Sequence, residues 1–506
     1  MGLTIMKKTL ITFGFCAGLV AAVEAAPTDA VTQADLQALK ALIQQQNAKI
    51  EAQAKRIAEL EGKQTATAAK VEQVATAPRT IVPGEGTETN ETGRIWTMAD
   101  GRKFYLADAT AGIFSPLTES GLQFEPYGYL VLEAVHNTAG TDYPMFTDWV
   151  RPRSNRNVKN HNGDHTSTLS VNDSILGFNL FSAESYNGWK TGGKFEFDLA
   201  GDDANHTDFH VRHLYWKVEH ESGWQFLFGQ TWHLWKMVTP QEIDGAWMEN
   251  TGYPYRRSPQ IRVTRNWEWE DSSLNVRVGI VKNGPGMGGD RDEDLIQDNS
   301  ASAWPIFEAA AVYDHDAFWQ DPEDDDQKRR WLIGLGGMYG QTRIRDLNDE
   351  ADKSDYDTMM VMLGGVLPFW NFTLTGQIFA GENLGGVQAG VGQTVAFNQY
   401  GYGKEVSTVG GFIDLSYQIN SDWSVGIGYG FDDPTIYNDY IESDAGLSQS
   451  ITHNDRAYID AFYKVTQNFK IGVEYARLNT RYASGEGARG GNAYSDRFQF
   501  SAYYDF

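Results

Sequence analysis

Cysteine is all but absent from this chain of 506 residues, occurring once, at Cys16. That position lies in a leader that export would remove, so the mature chain is expected to hold no disulfide. Positive charge is also scarce. Lysine and arginine number 42 against 67 acids, a formal charge of -25, which excludes nucleic acid as a partner because phosphates demand a basic surface. The acid surplus suits a surface that must stay soluble and unaggregated. A third absence matters most: beyond the leader, no stretch approaches the ~18 apolar residues a membrane-spanning helix requires.

What is present points to a membrane all the same. Residues 1–26 carry Lys7 and Lys8, an apolar run from Leu10 to Val23, and Ala25 with Ala26, the layout of a secretory signal peptide. Phe15 before Cys16 argues against a lipid anchor. An exported chain without spanning helices enters a bilayer only as a closed barrel. The 52 glycines, 13% aromatic residues and mean hydropathy of -0.45 fit one, since only every second strand residue faces lipid. The final segment sets Phe498, Phe500, Ala502, Tyr504 and Phe506 against Arg497, Gln499, Ser501 and Asp505, one oily face and one wet face. Tyr503 alone departs from the polar set. An edge strand of a soluble sandwich would alternate similarly, and the leader decides against it.

Sixteen segments with two-residue periodicity begin near Gly121, Thr168, Lys190, Phe209, Trp224, Pro259, Ser273, Trp304, Arg330, Tyr356, Asn371, Val406, Trp423, Asp455, Phe469 and Ser495. Tight turns at 221–223, 271–272, 368–370, 420–422 and 467–468 alternate with long connections such as 139–167, 236–258, 284–303, 384–405, 434–454 and 481–494. Outer-membrane barrels obey that rule, with brief periplasmic turns and extended external loops. The expected fold is an all-β transmembrane barrel over residues 121–506, with about 16 antiparallel strands running up and down, wide enough for an aqueous channel.

An N-terminal α-helical coiled coil is expected over 31–62, where Leu36, Ile43, Ile50 and Ile57 recur every seven residues with Leu39, Gln46, Gln53 and Leu60 three further on. A lone helix on the barrel rim is the blander alternative. Residues 63–93, rich in Ala, Thr, Gly, Glu and Pro, read as a flexible linker. Segment 94–120, with Trp96, Phe104, Tyr105 and Leu106, suggests something that packs, its place left open.

Arg212, His213, Leu214 and Tyr215, followed by Phe228, Gly229, Gln230, Thr231 and Trp232, resemble the fourth and fifth strands of the DcaP-type trimeric porins, which also carry an N-terminal coiled coil. The resemblance implies a homotrimeric, sixteen-stranded channel for passive diffusion of small organic anions such as dicarboxylates. It implies a place in the bacterial outer membrane among lipid and lipopolysaccharide, with Phe506 read by the barrel assembly machinery and the coiled coil in the periplasm. In general porins the loop after the fifth strand folds inward. Here that loop is 236–258, carrying Glu242, Asp244 and Glu249 with Lys236, Arg256 and Arg257.

Alternation gives Lys194, Arg262, Arg277 and Arg497 as inward cations and Glu196, Asp198, Glu268, Asp414, Asp460 and Glu474 as inward acids. The arginines are expected to form a wall ladder opposing the loop acids and favouring anions, against the plainer reading of solvated lumen charges. Arg212 shares parity with Leu214 and Trp216, which leaves its direction open, and Arg265 falls on a lipid-facing parity that suggests a subunit contact or a misread strand.

His206, His210 and His213 make a poor metal set, because the last two should point to opposite sides of a strand. The acidic runs 290–298 and 321–326 lack the glycine-centred spacing of a calcium loop, and no serine has a nucleophile context. No catalysis, metal or cofactor is expected. The rival readings are a sugar-selective porin and a structural tether gripping peptidoglycan through the coiled coil.

Overall fold

The computed structural model describes residues 88–90, 93–97, 103–105, 122–151, 165–182, 185–200, 207–283, 304–317, 329–345, 353–397, 403–435, 451–483 and 491–506. The expected signal peptide and coiled coil lie outside them. Glu88–Asn90, Gly93–Thr97 and Lys103–Tyr105 form a three-stranded sheet of their own. The last residues of the stretch read as linker are therefore strand.

Val395–Phe397 and Gly403–Glu405 pair with each other, and the other strands close on themselves. They are β1 (Leu122–Asn137), β2 (Thr166–Ser170 with Ile175–Ser182), β3 (Trp189–Ala200), β4 (Thr207–His220), β5 (Trp224–Trp232), β6 (Arg257–Glu268), β7 (Ser272–Val281) and β8 (Ile306–Asp316). The second half comprises β9 (Arg330–Arg345), β10 (Lys353–Phe369), β11 (Phe372–Glu382), β12 (Ser407–Gln418), β13 (Trp423–Thr435), β14 (Ile451–Lys464), β15 (Phe469–Tyr482) and β16 (Gly491–Asp505). The two pieces of β2 both pair with β1 and count as one strand, so the barrel has sixteen. Each pairs antiparallel with its neighbour in sequence, and β16 meets β1 from Arg497↔Asn137 to Asp505↔Tyr129.

Alternation builds the wall as expected. Outward positions such as Leu335, Ile427 and Ile459 are about half exposed, while their neighbours turn to a hydrated or packed interior. Trp224, Trp267, Trp269, Trp370 and Trp423 lie exposed at strand ends next to the tight turns, where indoles favour the bilayer interface. Gly223, at φ +92, makes the β4–β5 turn in a backbone region open to glycine.

Two irregularities re-aim side chains inward. Between the pieces of β2 the ladder breaks at 171–174, and the Ser174 hydroxyl accepts from the Val131 amide at 3.0 Å, replacing a missing backbone partner. In the β3–β4 pair Glu196 faces His213 but Phe197 faces Val211, so Arg212 is an extra residue. Such a bulge shifts the face parity by one.

The hydrophobic core lies inside the barrel. Residues 138–151 of the first loop, the third loop (233–256) and residues 383–397 and 403–406 of the sixth fold inward. Val150, Val238, Met248, Tyr253 and Val391 from these loops pack on Phe412, Tyr458, Ala476, Leu478 and Tyr482 of the wall. A second cluster joins Trp235 to Ile306, Met338, Met360, Met362, Phe379 and Leu384. Room for the third loop is cut by small wall residues. A β-carbon at Gly336 would lie 2.8 Å from that of Trp235, and one at Gly334 would overlap the Met237 sulfur.

Candidate functional site

The third loop leaves β5 at a buried carboxylate. Glu308, inward from β8, lies 2.5 Å from His233 Nδ1 and accepts from the Leu234 amide at 2.8 Å and the Trp235 indole at 3.0 Å. Ser258 holds the other imidazole nitrogen at 3.0 Å. Three donors on one carboxylate fix where the loop enters the lumen.

At its tip the loop meets two wall arginines. Arg456 Nε lies 2.5 Å from Glu242, and its Nη2 lies 2.8 Å from Asp244 and 3.2 Å from Glu474; Arg497 Nε lies 3.1 Å from Asp244. All five side chains are fully buried. Arg497 also donates to the Met145 carbonyl at 2.7 Å and to the Thr147 hydroxyl at 3.2 Å, tying the first loop into the same cluster. Burial alone would raise Asp244, yet Arg497 and Arg456 hold it below its ordinary carboxylate value. Burial keeps Glu242 well above its ordinary value, Arg456 notwithstanding. Glu249, further along the loop, is pushed up to about 7 by burial against a hydrogen bond from Tyr255.

The opposite wall is organised differently. Arg212, turned inward by the bulge, lies 2.8 Å from Glu196 and 2.7 Å from Asp198, and Lys194 lies 3.2 Å from Glu196. Beyond them Arg257, Arg262 and Arg277 are part-buried and form no ion pair among the described residues, and one guanidinium nitrogen of each is buried without a hydrogen-bond partner. Arg262 stands opposite Gly279, and Arg277 opposite Thr264, so the last two arginines sit diagonally on adjacent strands, both inward. Arg257 covers the Trp232 ring at 4.3 Å, and Lys236 covers the same ring at 4.5 Å. Trp232 and Tyr255 meet edge-on at 5.6 Å. The result is a cationic face backed by aromatic rings, which hold guanidinium groups without neutralising them.

The inward residues of the sequence reading therefore divide. Glu242, Asp244 and Arg497 are locked together out of solvent, so they fasten the loop instead of lining open space. Arg256 donates to the Gly386 carbonyl of the sixth loop at 2.7 Å and serves loop contact. Lys194, Arg257, Arg262 and Arg277 share the other wall. Arg456 was passed over, although it shares parity with Asp460, and Arg212, which shares parity with the outward Leu214 and Trp216, is turned inward by the bulge. The same bulge overturns the expectation for His210 and His213. Both turn to inner acids, His210 to Asp198 at 3.0 Å and His213 to Glu196 at 3.6 Å. Arg265 does face outward, between Trp224 and Trp267, with ring centroids at 5.2 and 5.3 Å.

No family model and no curated protein matches the chain. Among solved structures, the outer membrane channel DcaP of Acinetobacter baumannii aligns at 18% identity and a TM-score of 0.57, covering 77% of this chain and 98% of that one. An anion-selective porin from Comamonas acidovorans aligns at 13% identity and a TM-score of 0.47, covering 76% of this chain and all of that one. The barrel, from its opening strand to Phe506, has the fold of the DcaP outer membrane channel.

Proposed function

We propose that this protein is an outer-membrane porin passing small hydrophilic solutes by diffusion, with a preference for small organic anions such as dicarboxylates, and that it works as a homotrimer. The neighbour whose fold it shares is an outer membrane channel. One observation carries the anion preference: Arg257, Arg262 and Arg277 are only part-buried and form no ion pair among the described residues, whereas the loop acids Glu242 and Asp244 are sealed against Arg456 and Arg497. A pore lined by free cations with its acids withdrawn attracts anions. Guanidinium forks match carboxylates, so organic anions gain more than halide from such a wall.

Reversal potentials in planar bilayers test this reading. The wild type should favour anions, and Arg262→Ala with Arg277→Ala should bring the permeability ratio several-fold toward one. A double variant with unchanged selectivity would remove the arginine wall from the account. Channels that pass oligosaccharides in liposome swelling while ignoring ionic charge would replace it with a sugar porin, and a barrel silent at every voltage would defeat diffusion altogether.

A further inference from the structure

The seat of the third loop holds more acid than base. Around its tip stand Glu242 and Asp244 of the loop, Glu474 of β15, Glu133 of β1, and Asp173 from the break in β2. The only guanidiniums in ion-pair contact with these acids, among the described residues, are Arg456 of β14 and Arg497 of β16. Arg212 of β4 feels Asp173 electrostatically but spends its donors on Glu196 and Asp198. Asp198 of β3 and Tyr129 of β1 also sense Asp173. Asp148 of the first loop and Glu249 of the third add further negative charge nearby.

Five carboxylates against two guanidiniums would leave three uncompensated charges in an enclosed space, where an unpaired charge is strongly disfavoured. The geometry does not relieve them. Glu133 is fully buried; one oxygen accepts from Gln499 at 2.8 Å and the other has no partner. The loop touches the Asp173 carboxylate so closely that a β-carbon at Gly245 would overlap it. The neighbouring Ile243 amide donates to Glu474 at 2.9 Å. Protons are the remaining way to remove the excess charge.

Resting on the porin reading above, we propose that the tip of the third loop is fastened to the β14–β2 wall by shared protons and lets go as the pH rises, so the pore is wider in alkaline than in acid medium. Glu242 of the loop tip supports the direction, since burial in the seat holds its carboxyl well above the ordinary value despite Arg456. A carboxyl whose pKa is higher seated than free favours the seated state while protonated. That advantage is complete below the ordinary carboxylate range and is lost as pH climbs through the raised value.

Single-channel conductance between about pH 5 and about pH 9, spanning the ordinary and raised carboxyl values, reads the release directly. Conductance should rise across that window in the wild type, and Asp173→Asn with Glu133→Gln should hold it at the low-pH level. Ile243→Cys with Gly472→Cys, where a β-carbon on Gly472 would lie 2.7 Å from the Ile243 side chain, keeps all five acids in place and, with an added thiol oxidant, supplies a readout that needs no current. The pair should oxidise to a disulfide readily in acid and slowly in alkali, relative to a solvent-exposed thiol pair, and the closed disulfide should abolish any pH response. Steady conductance in the wild type, or a rise that survives both the neutral variants and the disulfide, overturns the latch while leaving the porin intact. No conductance at any pH refutes the porin reading instead, and cross-linking still reports on the loop.

Discussion

Two sides of one lumen use arginine in opposite ways. On the β14–β16 side Arg456 and Arg497 are fully buried, each spent on acids and loop carbonyls. On the β6–β7 side Arg262 and Arg277 are only part-buried and form no ion pair among the described residues. The difference is one of surroundings, since both pairs reach inward from a strand by the same alternation. Where loops fold over an arginine, desolvation demands a carboxylate partner, and the pair becomes structural. Where the lumen stays open, water meets that demand and the charge remains available to solutes.

Breaking the packed side should have the largest effect. Arg456→Ala leaves Glu242 and Glu474 buried with no ion-pair partner and Asp244 with Arg497 alone. Removing one partner of a buried ionic cluster costs about 3–5 kcal/mol. The expected result is a marked fall in thermal unfolding temperature and enlarged, noisy single-channel currents as the loop leaves its seat. Unchanged melting would show that loop packing alone holds the tip. Next in size is Gly336→Val, which thrusts a branched side chain at Trp235 where even a β-carbon lies at 2.8 Å. Overpacking of this kind costs about 1–3 kcal/mol and should loosen the loop root, visible as faster proteolysis within 236–256; wild-type digestion would mean the wall yields instead.

The sequence made the two sides unequally legible. Period-two alternation located all sixteen strands, because a barrel wall must be oily on one face along its whole length. It also ranked Arg262, Arg277 and Arg497 as inward. Burial escaped it, because whether an inward arginine meets water depends on loops arriving from distant sequence: Asp244 and Arg497 are joined only by the fold. Arg212 was hidden for another reason. One extra residue between Val211 and His213 reverses the parity, and nothing local in the sequence marks the bulge. Wall glycines such as Gly334 and Gly336 read as weak strand positions until Met237 and Trp235 are seen to fill the space above them.

The outer surface offers a smaller effect that checks the role of solvation. Arg265 faces lipid between two indoles, and its guanidinium also donates to the Ser222 carbonyl. Exposed cation–π contacts contribute about 0.5–1 kcal/mol, so Arg265→Gln should lower the melting temperature in detergent slightly and leave conductance alone. A large loss of stability would instead reveal a subunit contact at this rim.

The sharpest test of the contrast is the smallest change in stability. Arg262→Ala with Arg277→Ala removes as much positive charge from the barrel as losing Arg456 and Arg497 together, from the same kind of inward strand position. Because the first two are bound to no acid, their loss strands no buried carboxylate, and stability should stay within about 0.5 kcal/mol of the parent. It should rise slightly if repulsion between the two guanidiniums is significant. Selectivity should change while melting does not. If melting instead fell as far as for Arg456→Ala, the free arginines would be structural after all, and the division of the lumen into a fastened side and a working side would fail.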